Sequence, residues 1–377
     1  MRSKACMLAL AAIAAAALAA PASAGATVTI DGRGFGHGVG MSQYGAYGYA
    51  LRENRTAGFI LAHYYTGTTL GTVNAVRVRV RLKRVTSPIL CSASRVTDAR
   101  GDSLTVSPSR RYQFQRAGTV TLRVIDTTTG RRRDSMRAPL RVTGGESVCV
   151  RGVAENGTSH RHYRGAQILV RDGTRVLVVN DIHIRHYLYS VVPSEMPTSW
   201  RIEAVKAQAI AARTYTMRNR RPDRDFDLFA DVRSQQYNGL AAETARGQSA
   251  VRSTEGRVLM AGGQLIDALY HSTSGGRTAS NEEAFGSAPV SYLRSVADPH
   301  DDISPVHTWR VTLSDATAQQ RLGDLVQGTL VSLTVTQRGP SGRALVVEVR
   351  GTGGTRLAPA SVIRTRLQLR STWFDFV

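Results

Sequence analysis

The chain has 377 residues, 42% of them hydrophobic, and carries 49 Lys plus Arg against 28 Asp plus Glu, a formal charge of +21. The length suits two or three structural units with real cores, and the 35 glycines suit many turns and strands. The charge draws an exported protein toward polyanions and a cytoplasmic one toward nucleic acid, so the compartment decides the partner. Only Lys4, Lys83 and Lys206 are lysines, so the excess is arginine, a skew that codon usage in a GC-rich genome also produces.

Residues 1–24 have the layout of a secretion signal. Arg2 and Lys4 precede an apolar run from Met7 to Ala20, and Ala22-Ser23-Ala24 is a small-residue cleavage site, so the mature chain is expected to start at Gly25. The run is short for a retained anchor, and no later stretch is long and apolar enough to span a bilayer. Export, together with the lack of any nucleic-acid motif, turns the expected partners into bacterial envelope polyanions: anionic wall polymers, acidic glycans and lipid headgroups. Cys6 leaves with the signal. Cys91 and Cys149 remain, and export permits a bond between them, two free buried thiols being the alternative.

Thr27–Ile30 reads as a short strand, followed by a glycine-rich loop from Gly32 to Gly40. Helices are expected from Ser42 through Tyr49 and around Ile60, Leu61 and Tyr64. Residues 75–153 read as all β: Val76–Leu82 alternates strictly, Val120–Ile125 and Ala138–Val142 are further strands, and Arg131-Arg132-Arg133 falls at a turn. The basic strand faces are either solvated sheet surface or an accessory surface for an anionic wall. Ile168–Val170 and Val176–Val179 flank Asp172-Gly173, a hairpin signal. Glu195 stands between Pro193 and Pro197 and is expected in a turn, with a helix entered near Ser199 and striped by Ile202, Val205, Ala209, Ala212 and Thr216. Residues 241–260 read as a helix leading into a strand, Gln264–Tyr270 as the returning strand, Leu330–Val335 and Leu345–Val349 as strands, and Ala360–Leu367 as a last helix. The fold class is α+β with a β-rich inserted unit.

Glu195 is the main candidate for chemistry, because a rigid turn ahead of a packed helix aims one carboxyl group; a turn-capping acid is the plainer alternative. Glu203 lies near the helix start, where an acid favours the dipole, and reads as structural. No G-x-S-x-G elbow is present for a Ser-His-Asp hydrolase.

The run from Tyr187 through Pro193-Ser194-Glu195-Met196-Pro197 to Trp200, continuing from Glu203 to Tyr215, resembles the signature of the SpoIID/LytB family. Three further segments resemble it in order: Gly34–Ala46, with His37 and Gln43; Tyr270–Thr278, with His271 and Ser274; and Leu367–Phe374. The resemblance covers roughly residues 31–68 and 160–376 and implies a SpoIID-like core made from residues 25–70 and 156–377, with residues 71–155 inserted. It implies a lytic transglycosylase acting on peptidoglycan strands, preferably stripped of stem peptides, with Glu195 as its single acid/base. It leaves open a non-catalytic amidase enhancer or a wall-binding protein, with a wall amidase as partner. It implies substrate-binding roles for His37, Gln43, Lys206, Gln208, Arg213, the Gln236-Tyr237 pair, His271 and Ser274. Some family members hold zinc with His and Cys near the later motif. Here no cysteine follows His271, His183 and His186 are three apart at a strand end or turn, and His300 and His307 are isolated, so no metal and no cofactor is expected.

Overall fold

The computed structural model describes residues 27–377, a mixed α+β molecule. The expected signal, residues 1–24, and the start at Gly25 lie outside the described residues. Among the described residues no helix is long and apolar enough to cross a membrane.

The largest sheet holds eleven strands. Its main path runs from Leu228–Phe229 through Arg77–Val85, Arg175–His183, Ala166–Asp172, Leu140–Val153 and Ile89–Thr97, and ends with Arg111–Ala117, Thr121–Asp126 and Arg132–Arg137. Pairing is antiparallel except at Leu228–Phe229. In the strand Arg77–Val85 the buried Val78, Val80 and Leu82 alternate with arginines, as the period-2 pattern requires. The hairpin turns at Gly173, whose φ is +56°. Arg131 lies in the link that follows the turn at residues 127–129, but Arg132 and Arg133 belong to the outer strand, where no second face needs burial.

Helix α1 (Gln43–Arg52) is capped by Ser42, whose Oγ accepts from Gly45 N at 3.1 Å, and α2 (Ala57–Tyr64) by Thr56. The strand Arg175–His183 feeds α3 (Ile184–Glu195), and α4 (Ile202–Arg218) follows. Helices α1, α2, α3 and α5 (Ala245–Ser253) all pack on α4, whose stripe at Val205, Ala209, Ala212 and Thr216 is fully buried. A short helix α6 (Asn281–Phe285) comes next. One apolar core joins these helices to the large sheet. A second gathers Ile30, Trp309, α7 (Asp315–Leu322), α8 (Ala360–Leu367) and the strands Leu330–Arg338, Ala344–Gly351 and Gly354–Pro359.

Two expectations change. The returning strand after Gly262-Gly263 is broken: Gln264–Leu265 pairs back on Met260 and Ala261, and the chain then leaves to form a separate parallel pair, Tyr270–His271 with Met41–Ser42. Glu195 lies in no turn but is the last residue of α3. Pro193 sits inside the last turn of α3, where it forgoes one backbone hydrogen bond, and Met196 is extended (φ −139°, ψ 136°), as a residue before proline prefers. Pro197 therefore stops the helix that Pro193 does not.

Cys91 and Cys149 are directly opposed on neighbouring strands and form a disulfide, with Cα atoms 4.8 Å apart and a sequence separation of 58. Converting both to Ser is expected to lower stability by roughly 2–4 kcal/mol through the unfolded chain's regained freedom. Urea unfolding, with non-reducing peptide mapping of the parent, checks this. Function at 25 °C is expected to suffer less than stability, because both residues lie outside the cavity described below.

Candidate active site

The glycine-rich loop lies against residues 269–279. Phe35 bridges Thr273, Val39 bridges Ala279, and Met41 N–H donates to the Leu269 carbonyl at 3.1 Å. Gly34 and Gly40 have φ of +73° and +74° and sit against the carbonyls of Thr273 and Leu269, an approach that no side chain permits. This contact and the end of α3 enclose a cavity of about 550 Å³. Its walls are Phe35, Gly36, His37, Gln43, Glu195, Tyr215, Val232, Ser234, Leu269, Tyr270, His271, Ser272, Phe285 and Arg364. Another groove, of about 590 Å³, runs past Trp309 and Trp373, but its acids are exposed and ion-paired, Asp31 with Arg310 and Asp375 with Arg338. The Arg310 guanidinium holds the Asp31 carboxyl below its usual range, and neither acid of this groove is buried, whereas the first cavity holds a buried one.

Glu195 is the only acid among the described residues lining that cavity. Its Oε1 accepts from Gln236 N–H at 2.6 Å. Burial pushes its carboxyl pKa up, and this outweighs the hydrogen bond from Gln236 N–H and the opposing influence of the adjacent Tyr270 side chain. The partial negative charge at the end of α3 acts in the same direction. Tyr270 is tied down through Gln235: the Tyr270 hydroxyl donates to Gln235 Oε1 at 3.0 Å, and Gln235 Nε2 donates to Thr216 at 2.8 Å. The carboxyl group is thus held by Gln236 N–H beside an anchored Tyr270.

His37 and His271 face each other with ring centroids 5.5 Å apart. His37 Nδ1 accepts from Val39 N–H at 3.1 Å, so the proton sits on Nε2 and donates to the Tyr270 carbonyl at 3.1 Å. Burial lowers the His37 pKa to about 4, helped by the charges of Arg364 and Arg343, and it lowers that of His271 further, so both rings are neutral at pH 7. Gln43 lines the cavity, and its Nε2 donates to the fully buried Gln208 at 3.3 Å.

The remaining predicted residues stand elsewhere. Lys206 forms an ion pair with Glu203 at 2.7 Å, and Glu203 also accepts from Ala57 N–H at 2.8 Å, joining α4 to the start of α2. Arg213 shares a face with Lys206, but its guanidinium donates to the carbonyls of Val251, Thr254 and Arg257. Tyr237 is buried between Tyr163 and Tyr187, with its hydroxyl on Asn180. Ser274 donates to Asp301 at 2.9 Å inside the Ser-Gly-Gly turn. Gln236 reaches Glu195 through its backbone. Sequence reasoning missed Tyr215, Ser234, Gln235, Phe285 and Arg364 as individual residues. Gln235 adjoins the quoted Gln236-Tyr237 pair and was within reach; Phe285 and Arg364 arrive from distant segments and carry no local signal.

A family model described as "Stage II sporulation protein" (SpoIID) matches residues 172–260, the span that holds Glu195, α3, α4 and α5. Stage II sporulation protein D of Bacillus subtilis (strain 168) is 31% identical over 215 residues, covering 52% of this chain and 61% of the relative. Residues 172–260 therefore carry the SpoIID family pattern, and the likeness to a sporulation relative extends over 215 residues. Stage II sporulation protein D of Bacillus amyloliquefaciens matches to the same extent. The Amidase enhancer of Bacillus subtilis (strain 168) is 36% identical over 140 residues, 37% of this chain and 19% of that relative. The chain thus spans about three fifths of the length of the sporulation relatives it matches. The zinc considered for this family finds no fit: beside His37 and His271 the cavity offers no thiolate, and two of the four imidazole nitrogens already hydrogen bond to carbonyls.

Proposed function

We propose that this SpoIID-family chain is an exported, wall-associated lytic transglycosylase that cleaves peptidoglycan glycan strands. The observation that carries the reading is Glu195: one carboxyl group, with a raised pKa, alone among acids in a cavity of suitable size for a sugar. Protonated Glu195 gives its proton to the glycosidic oxygen after muramic acid, and the C1–O bond breaks. The Glu195 carboxylate then takes the proton from the muramic acid C6 hydroxyl as O6 bonds to C1. An anhydro ring forms, the carboxyl is protonated again, and no water enters. Hydrolysis through a water would call for a second carboxylate. His37, Gln43 and His271 line the sugar site in this reading. Gln208 and the Gln236 backbone position its wall, and Lys206, Arg213, Tyr237 and Ser274 brace the surrounding elements. Residues 25–70 and 156–377 form the core, and residues 71–155 an insertion whose exposed arginines face anionic wall polymers.

The amidase-enhancer relative favours a second reading, in which the chain binds the wall and activates an amidase. Incubating purified strands with the chain alone, an amidase alone, and both separates the two. Anhydro ends from stripped strands and the chain alone are expected; cleavage confined to amide bonds, and only with both proteins present, sinks the enzyme reading. The rate is also expected to fall as pH rises through the raised Glu195 pKa, because the first step uses the protonated form. A rate that climbs with pH there contradicts the assignment of Glu195 as the acid.

A further inference from the structure

Three half-buried or buried guanidinium groups in the core have pKa values that burial lowers: Arg213, Arg343 and Arg364. Two donate to backbone carbonyls within the protein. Arg213 donates to the carbonyls already named, and Arg343 donates to the Arg277 and Ser274 carbonyls at 3.0 and 2.6 Å. Arg364, on α8, donates to no carbonyl and pairs with no carboxylate among the described residues, and it is the only Arg or Lys lining the Glu195 cavity. Arg364 is partly exposed to the cavity, so water solvates it there, and a ligand that displaces this water must supply the counter-charge. With His37 and His271 neutral, Arg364 is the one cationic side chain among the described residues lining the cavity that holds Glu195.

We propose that Arg364 is a specificity-determining residue that binds the carboxylate of the muramic acid lactyl group. This rests on the glycan reading above. In an intact strand that carboxyl is an amide carrying the stem peptide and is neutral. Once the peptide is removed it is a free carboxylate, the one anionic group a stripped strand offers at each muramic acid. Guanidinium pairs with carboxylate through two parallel hydrogen bonds, which fixes orientation as well as charge. Arg364 therefore reads whether an amidase has acted and seats the muramic acid with C1 toward Glu195.

The test uses the full chain, its R364Q and R364K variants, and stripped strands in two forms: with free lactyl carboxylates, and with the same groups converted to methylamides. Rates of anhydro-end formation and strand affinities are measured. Wild type is expected to prefer the free acid by about 10- to 100-fold, the scale of a hydrogen bond to a charged group. R364Q is expected to lose that factor on the free acid and to treat both forms alike, while R364K keeps part of the preference. Equal handling of both forms by wild type, or a preference surviving in R364Q, overturns the proposal. If wild type forms no anhydro ends, the transglycosylase reading fails and affinity alone decides: the same pattern in Kd sustains the role of Arg364, and no discrimination ends it. R364Q breaks no internal bond, so folding is expected to be retained; circular dichroism confirms it.

Discussion

Glu195→Gln is expected to cut the rate of strand cleavage by about two to four orders of magnitude, the usual contribution of a general acid/base. The change keeps the wall intact. The Gln oxygen accepts from Gln236 N–H as Oε1 does now, and its amide faces the Tyr270 hydroxyl, mimicking the protonated acid. The variant is also expected to be the more stable protein at neutral pH. A carboxyl whose folded pKa is raised contributes its full stability below the unfolded value and loses it as pH rises through the folded value, so at pH 7 ionised Glu195 works against the fold. Thermal unfolding of the two proteins should therefore diverge above that pKa and converge in acid. Glu203→Gln serves as the contrast. The Glu203 pKa is lowered, because Lys206 and Ala57 N–H outweigh burial, and its contacts join α4 to α2 outside the cavity. That variant is expected to lose some stability and little activity. An active Glu195→Gln places the acid elsewhere.

The second large effect is expected at Gly40. Its φ is +74°, and a Cβ there would lie 2.0 Å from the Leu269 carbonyl oxygen that accepts from Met41 N–H. Gly40→Ala combines a left-handed backbone penalty of ~1–2 kcal/mol with overpacking of ~1–3 kcal/mol, a loss of roughly 3–4 kcal/mol. It also pries the His37 loop away from the strand carrying Tyr270, so activity should fall with stability. Gly67→Ala isolates the backbone part: φ there is +69°, but nothing lies within 4 Å of the added carbon. Urea midpoints of the two variants are expected to differ by the steric share, and equal midpoints would show that the loop is free to shift.

Local signals in the sequence were strong where the energy is local. The alternation of Val78, Val80 and Leu82, the Asp172-Gly173 turn, and the stripe on α4 each depend on neighbours a few residues away, and each is found in the structure. The prolines around Glu195 misled because α3 accommodates Pro193 at the loss of one backbone hydrogen bond while Pro197 ends the helix, and sequence alone does not tell the two apart. Lys206 and Arg213 share a face as expected, yet that face meets Glu203 and the end of α5 instead of the cavity. The cavity itself joins segments more than 300 residues apart, from Phe35 to Arg364, and no local pattern encodes that meeting. The family motifs marked its walls at His37, Gln43 and His271 without revealing that Arg364 completes them.

The central claim is that Glu195 drives ring closure without water. Stripped glycan strands incubated with the purified chain in isotopically labelled water, and read by mass spectrometry, test it directly. The account predicts fragments lighter by one water than hydrolytic products, with no label at the new ends. Fragments with labelled reducing ends would contradict it, because water would then be the nucleophile.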